Sequence, residues 1–154
     1  MKVFFILVAV PYDDEMKQRP QHMADQLANM GFEVIYIHAT SSQKINRTQY
    51  EFFMQEFKSS SYVKKINESL YALDKFDVIV DKDKKQNIKF SKVLKYMKDI
   101  YKDYEVYFLC THPKCLDILE ELDEDSFIIY DCIDDWSEFA KDILWEDDTT
   151  EIKE

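Results

Sequence analysis

Hydrophobic residues in this chain fall into short continuous runs, separated by stretches in which they recur every three or four positions. The run "KVFFILVAV" (2–10) is unbroken, which is typical of a strand buried on both faces. Similar runs predict further strands at 33–39, 77–81, 105–110 and 126–131. Helical spacing predicts helices from Pro20, over 47–73 in two pieces, over 90–104 and over 112–122.

Strands that alternate with helices predict an α/β fold. We expect a Rossmann-like three-layer sandwich, with a mostly parallel sheet of about five strands and helices on both faces. Ligands bind such sheets at the carboxyl ends of the strands, near the point where the strand order reverses. With an order of 3-2-1-4-5 this switch point lies between the first and fourth strands, flanked by residues 10–22 and 111–114.

Polar side chains gather in these segments. His22 falls in a first helical turn, beside N–H groups that favour an anion, and can act as a general base if a carboxylate orients it. Arg19 can clamp a phosphate or carboxylate, or be an ordinary surface residue. His112 lies beside the predicted switch point, and His38 ends the second strand, where it is more simply a core residue.

The run "YDCIDDW" after the last predicted strand holds three aspartates, Asp131, Asp134 and Asp135. Carboxylates at this density suit a divalent cation or sugar hydroxyls. Asp134 or Asp135 can equally cap the short helix predicted over "DWSEFAKDIL". Both interpretations stay open on the residues alone.

The amino-acid composition argues against two kinds of site, a nucleic-acid-binding surface and a loop that wraps a pyrophosphate. A formal charge of −11 argues against nucleic acid, because phosphate binding needs clustered Lys and Arg. Residues 117–154, with 16 acidic and 2 basic side chains, have a net charge of −14, and the remaining 116 residues are about +3. The three cysteines are an odd number and predict reduced thiols in the cytoplasm. A single glycine, with no glycine-rich motif after the first strand, argues against a loop that wraps a pyrophosphate.

Two stretches resemble a known family. "VPYDDEMKQRPQHMADQLANMGFEVIYI" resembles the opening of bacterial glycosyltransferases of the GT-B fold, in a branch that includes teichuronic-acid and other cell-surface polysaccharide enzymes. "FIIYDCIDDWSEF" resembles the Y-D-C-x-D-D/E-aromatic segment of the same branch. The resemblance covers about residues 1–140, although 40–105 resemble the branch only in their hydrophobic pattern.

The resemblance implies that residues 1–140 are the acceptor-side domain, and that 141–154 are an acidic tail or the start of a further helix. The nucleotide-sugar donor would bind a second domain or a partner, and the sugar acceptor this one. No metal or other cofactor is expected, since protein groups stabilise the leaving diphosphate in this fold. The full enzyme could associate peripherally with a membrane. The implied catalytic residues are His22, Asp134 and Asp135. The implied substrate-binding residues are Asp13, Arg19, Gln21 and Asp131. We add His112 to the substrate-binding residues because of its position beside the predicted switch point.

Two alternatives to this interpretation remain. A non-catalytic flavodoxin-like or receiver-like interaction module would also suit a parallel sheet with aspartates at its edge. A receiver needs a Lys after the fifth strand, however, and here that strand is followed by Asp131. In a third possibility, the acidic residues 142–154 dock a partner subunit that carries the donor domain.

Overall fold

The computed structural model describes residues 1–8, 10–13, 15–38, 44–46, 51, 57–59, 63–73, 87–113, 115, 119–122 and 126–131. Their strands are β1 (Lys2–Val8), β2 (Glu33–His38), β3 (Lys44–Asn46), β4 (Val63–Lys65), β5 (Leu70–Leu73), β6 (Asn87–Lys89), β7 (Glu105–Cys110) and β8 (Phe127–Tyr130). The helices among the described residues are α1 (Arg19–Asn29) and α2 (Phe90–Ile100), with a 3-10 turn at Phe57–Ser59.

Six of the described strands form one sheet in the order β4-β5-β2-β1-β7-β8. Its neighbouring strands run parallel except for β4 and β5, which are antiparallel. Strands β3 and β6 form a separate antiparallel pair. The chain adds β2 on one side of β1, and β7 followed by β8 on the other. The strand order therefore reverses between β1 and β7, as the sequence predicted.

The continuous apolar run of β1 is explained by two separate hydrophobic clusters. Val3, Phe5 and Leu7 belong to a cluster that includes residues of α2. Ile6 and Val8 belong to another cluster that includes residues of α1. Successive side chains of a strand point to opposite sides of the sheet, so a strand covered on both sides has no place for polar residues.

Helix α1 begins and ends close to its predicted positions, whereas α2 begins at the predicted residue but ends at Ile100, four residues before its predicted end. Pro20 lies in the first turn of α1, where its missing N–H costs nothing. After Asn29 the chain closes in a Schellman motif: Gly31 N–H donates to the Ala28 carbonyl at 3.0 Å and Phe32 N–H to that of Leu27 at 3.2 Å. Gly31 has a φ of +89°, which a side chain would strain.

The helix predicted over 63–73 is wrong. Val63 and Leu73 are instead opposite each other in the antiparallel hairpin of β4 and β5. Asn67 makes its turn, because its side-chain oxygen accepts hydrogen bonds from the backbone N–H of both Ser69 and Leu70 at 2.9 Å. Strand β5 also lies beside β2, at the place predicted for the strand at 77–81.

Several other predicted elements lie outside the described residues. These are the strand at 77–81, most of the helix over 47–57, much of the helix over 112–122, and the segments beyond Asp131. Cys110 and Cys115 are buried and form no disulfide with each other, and Cys132 lies outside the described residues. In the part of the chain that the structure describes, no helix has the length and apolarity needed to cross a bilayer.

Candidate functional site

The turn between β1 and α1 is held in place by two buried side chains. Gln21 is fully buried: its side-chain oxygen accepts a hydrogen bond from Gln18 N–H at 2.8 Å, and its amide nitrogen donates to the Pro11 carbonyl at 3.2 Å. The hydroxyl of Tyr36, on β2, donates to the Val10 carbonyl at 2.8 Å. The turn is therefore fixed both to its own helix and to the neighbouring strand.

Arg19, at the start of α1, reaches the end of β8. Its guanidinium donates to Asp131 Oδ1 at 3.1 Å, across 112 positions of sequence. The backbone N–H of Asp131 donates to the Cys110 carbonyl at 2.9 Å, which ties the end of β8 to the end of β7. The second carboxylate oxygen of Asp131 is buried and has no hydrogen-bond partner in the described structure. This orphan acceptor could take a hydrogen bond from a ligand hydroxyl.

Residues that follow β7 form the next part of this edge. The backbone N–H and the hydroxyl of Thr111 both donate to the Leu7 carbonyl, at 3.2 and 3.3 Å. His112 thus lies beside the end of β1, where the sequence placed it. It is 9% exposed, and its carbonyl accepts hydrogen bonds from the Cys110 thiol and the Cys115 N–H, both at 3.0 Å.

Asp13 has a partner that the sequence did not predict. Both of its carboxylate oxygens accept hydrogen bonds from the ammonium of Lys64, on β4, at 3.0 and 3.1 Å. Both side chains are more than half exposed, so the pair contributes little to stability. It does bring a cation from the hairpin to the turn that follows β1.

A second network lies at the same turn. The Tyr12 hydroxyl donates to Asp25 Oδ1 at 2.5 Å, and the Lys17 ammonium donates to Oδ2 at 2.8 Å. Partial burial opposes ionisation of Asp25, but hydrogen bonds from Lys17 and Tyr12 outweigh it and hold its pKa below the usual value. Desolvation and the bond to Asp25 raise the pKa of Tyr12. Two hydrogen bonds therefore hold the Asp25 side chain in place and favour its ionised form.

His22 is exposed on the same helix, one turn after Arg19 and three residues before Asp25. Residues three apart are neighbours on a helix surface, and the charge of His22 helps to lower the pKa of Asp25. An imidazole with a fixed carboxylate nearby meets one requirement of a general base.

We call Asp13, Arg19, His22, His112 and Asp131 the carboxyl-edge cluster. Arg19 and Asp131 are in direct contact. Asp13 follows β1 and pairs with Lys64, His112 follows β7, and His22 lies one turn after Arg19 on α1. Gln21, also predicted to bind substrate, instead has its side chain committed to the backbone of the turn. Asp134 and Asp135 lie outside the described residues.

Lys64 and Tyr12 belong to this edge but were not among the predicted site residues. Lys64 was missed because residues 63–73 were assigned to a helix. Tyr12 is part of the quoted "VPYDD" turn, so its position was a usable signal. Among the described residues, no group of three or more His, Cys, Asp or Glu side chains could hold a metal ion.

Comparisons with known proteins found no match to this chain. No protein-family model matches the chain, and no curated protein or solved structure matches it.

Proposed function

We propose that this chain is the acceptor-side domain of a GT-B-type glycosyltransferase, which receives a sugar on a cell-surface polysaccharide or glycan acceptor. The contact between Arg19 and Asp131 carries the proposal. Arg19 belongs to the "RPQH" stretch and Asp131 to the "YDC" stretch, the two motifs on which the resemblance rests. Two motifs that share one site are expected to meet in space, and these do.

The arrangement of the sheet is consistent with that role. We propose a three-layer, Rossmann-like domain over residues 1–140, with α1 and α2 on opposite faces, because alternate residues of β1 pack with the two helices. A second domain or a partner chain would supply the donor site, and the acidic residues 142–154 are one place where a partner could dock. We further propose that the enzyme acts in the cytoplasm, as a peripheral membrane protein in its full form.

In this proposal the carboxyl-edge cluster binds acceptor hydroxyls. Asp13 and the orphan oxygen of Asp131 accept hydrogen bonds, and Arg19 donates them. His22, with Asp25 nearby, removes the proton of the attacking hydroxyl, and Asp134 or Asp135 is the other candidate for that role. The donor domain would stabilise the negative charge of the leaving diphosphate, so this chain alone should transfer no sugar.

Acceptor binding can be tested with the 154-residue protein on an array of neutral and acidic oligosaccharides, followed by calorimetry on any glycan that binds. We expect saturable binding that Arg19→Gln weakens about tenfold, as expected for loss of a charged hydrogen bond. Lys102→Gln is the matched control, because it removes one positive charge from an exposed position just before β7. It should bind like the wild type.

Three results would contradict parts of the proposal. Equal binding by the Arg19→Gln and Lys102→Gln variants would show that the carboxyl-edge cluster is not the acceptor site. Sugar transfer by the isolated chain would show that it is a complete enzyme. A gain of one phosphoryl group after incubation with acetyl phosphate, seen by intact mass, would favour the receiver-like alternative.

A further inference from the structure

Strand β8 exposes large hydrophobic side chains. It is the last strand in the order of the described sheet, and its whole length is apolar. Phe127 is 55% exposed and Ile129 43%. In the parallel register Phe127 pairs with Tyr107 and Ile129 with Leu109, both on β7. An exposed apolar edge strand is unusual in a folded protein, because it invites pairing with other chains. This surface is therefore expected to have a partner.

The register shows which side of the sheet is involved. Leu109 belongs to the hydrophobic cluster that includes residues of α1, so Phe127 and Ile129 point to the α1 side. The Phe127 ring stacks on Tyr107 at a centroid distance of 5.1 Å, and Tyr107 stacks on Phe4 at 4.9 Å. Helix α1 packs against β1, β2 and β5, which form the half of the sheet remote from β8. We call the partly exposed Tyr107, Phe127 and Ile129 the β8 strip.

The sequence that follows β8 supplies an apolar surface of matching length. Trp136, Phe139 and Ile143 recur every three or four positions, which is the spacing of an amphipathic helix. A helix over 136–144 would be about 14 Å long, and the four residues of β8 span about 13 Å. The four residues between Asp131 and this segment are a typical length for a strand-to-helix connection. The chain can therefore turn back along the strand that it has just left.

We propose that residues 136–144 dock as an amphipathic helix on the β8 strip, beside α1. The apolar stripe covers Phe127 and Ile129, and the charged residues of the segment face solvent. A second copy of the chain fits this surface less well, because residues 117–154 have a net charge of −14 and two such ends repel each other. The inference is independent of the proposed glycosyltransferase activity, since it rests on exposure and hydrophobic spacing alone.

The test is hydrogen exchange of the whole chain, measured by mass spectrometry on a peptide that contains residues 136–144. We expect slow exchange, because the amides of a docked helix open only when the segment undocks. Ile129→Ser should raise the exchange rate about tenfold, since it removes one apolar side chain from the docked surface. Ile100→Ser is the matched control, because Ile100 has a similar exposure of 40% but ends α2. It should leave the exchange rate of 136–144 unchanged.

Tryptophan fluorescence gives a second measurement, because the two tryptophans of the chain are Trp136 and Trp145. In a Trp145→Phe variant the emission reports on Trp136 alone, which is part of the proposed apolar stripe. Acrylamide should quench this emission less readily in the whole chain than in a synthetic peptide of residues 132–154 with the same substitution.

The proposal is overturned if Ile129→Ser and Ile100→Ser give equal exchange rates, or if Trp136 is quenched equally in the chain and in the peptide. Protection that disappears on dilution, together with a dimer in light scattering, would show that a second copy covers the strip and would also overturn it. If Ile129→Ser fails to fold by circular dichroism, Phe139→Ser on the stripe and Lys141→Ser off it decide. Only Phe139→Ser should raise the exchange rate, and equal rates would overturn the proposal.

Discussion

Replacement of Gln21 by Met should destabilise the protein, because this side chain fastens the turn that carries Asp13. Gln21 is fully buried, and both ends of its amide are bonded to the backbone, to Gln18 N–H and to the Pro11 carbonyl. Met has a similar length, so the substitution removes the two hydrogen bonds without leaving a large cavity.

The magnitude follows from these two bonds. A hydrogen bond contributes about 0.5–1.5 kcal/mol net, and a buried group left without a partner costs about 1–3 kcal/mol. Gln18 is exposed, so water can replace the lost acceptor at its N–H, whereas Pro11 is only partly accessible. We therefore expect Gln21→Met to lower the free energy of unfolding by about 1–3 kcal/mol.

Urea unfolding followed by circular dichroism measures this effect. With a denaturant slope of about 2 kcal/mol/M, the midpoint should fall by about 1 M. Gln26→Met is the matched control, since Gln26 is an exposed residue of the same helix, and its effect should stay within about 0.5 kcal/mol. Equal midpoints for the two variants would refute the assignment of Gln21 to the architecture of the turn.

Three further predictions concern stability. Leu70→Ala should lower the free energy of unfolding by about 2–5 kcal/mol, because Leu70 is completely buried. Ile100→Ala, at a position 40% exposed, should lower it by about 1 kcal/mol or less, and similar values for the two variants in urea unfolding would contradict the burial of Leu70. Gly31→Ala should cost about 1–2 kcal/mol, because Gly31 has a positive φ, and a neutral result would argue against the Schellman ending of α1. Asp25→Asn should be most destabilising near neutral pH: the folded carboxyl has a pKa below its usual 3.8, so its contribution is present above that value and lost as pH falls through the folded pKa. The difference between the urea midpoints of the two proteins should shrink as the pH falls below 3.8, and a difference that is independent of pH would refute the role of this carboxylate.

Much of the fold could be predicted because the strongest patterns are dictated by burial. The unbroken run of β1 is buried in two clusters, and the stripe of α2 packs in one of them. Residues 105–110 form β7 as predicted, and β8 is shorter than its predicted range by one residue at each end. The hairpin was missed because Val63, Ile66, Leu70 and Leu73 also fit helical spacing. In the sequence, the turn-forming Asn67 and the four consecutive hydrophobic residues of "LYAL" were the signals against a helix.

The candidate site was only partly predictable. The rule that ligands sit at the carboxyl ends of strands selected Arg19, His112 and Asp131, and the structure brings them to one edge. It could not select Lys64, whose contact with Asp13 exists only because β4 pairs with β5. Nor could it reveal that Gln21 is fully buried, because a polar residue in a first helical turn is usually exposed.

The central claim is that the carboxyl-edge cluster binds the sugar acceptor, and an NMR titration tests it most directly. Isotope-labelled protein would be titrated with an acceptor oligosaccharide identified on the array, and in parallel with a uridine diphosphate sugar. We predict saturable shifts of the Arg19, His22 and Asp131 amides with the oligosaccharide, and none at these positions with the sugar nucleotide. Oligosaccharide shifts confined to other surfaces, or saturable shifts at these amides with the sugar nucleotide alone, would contradict the claim.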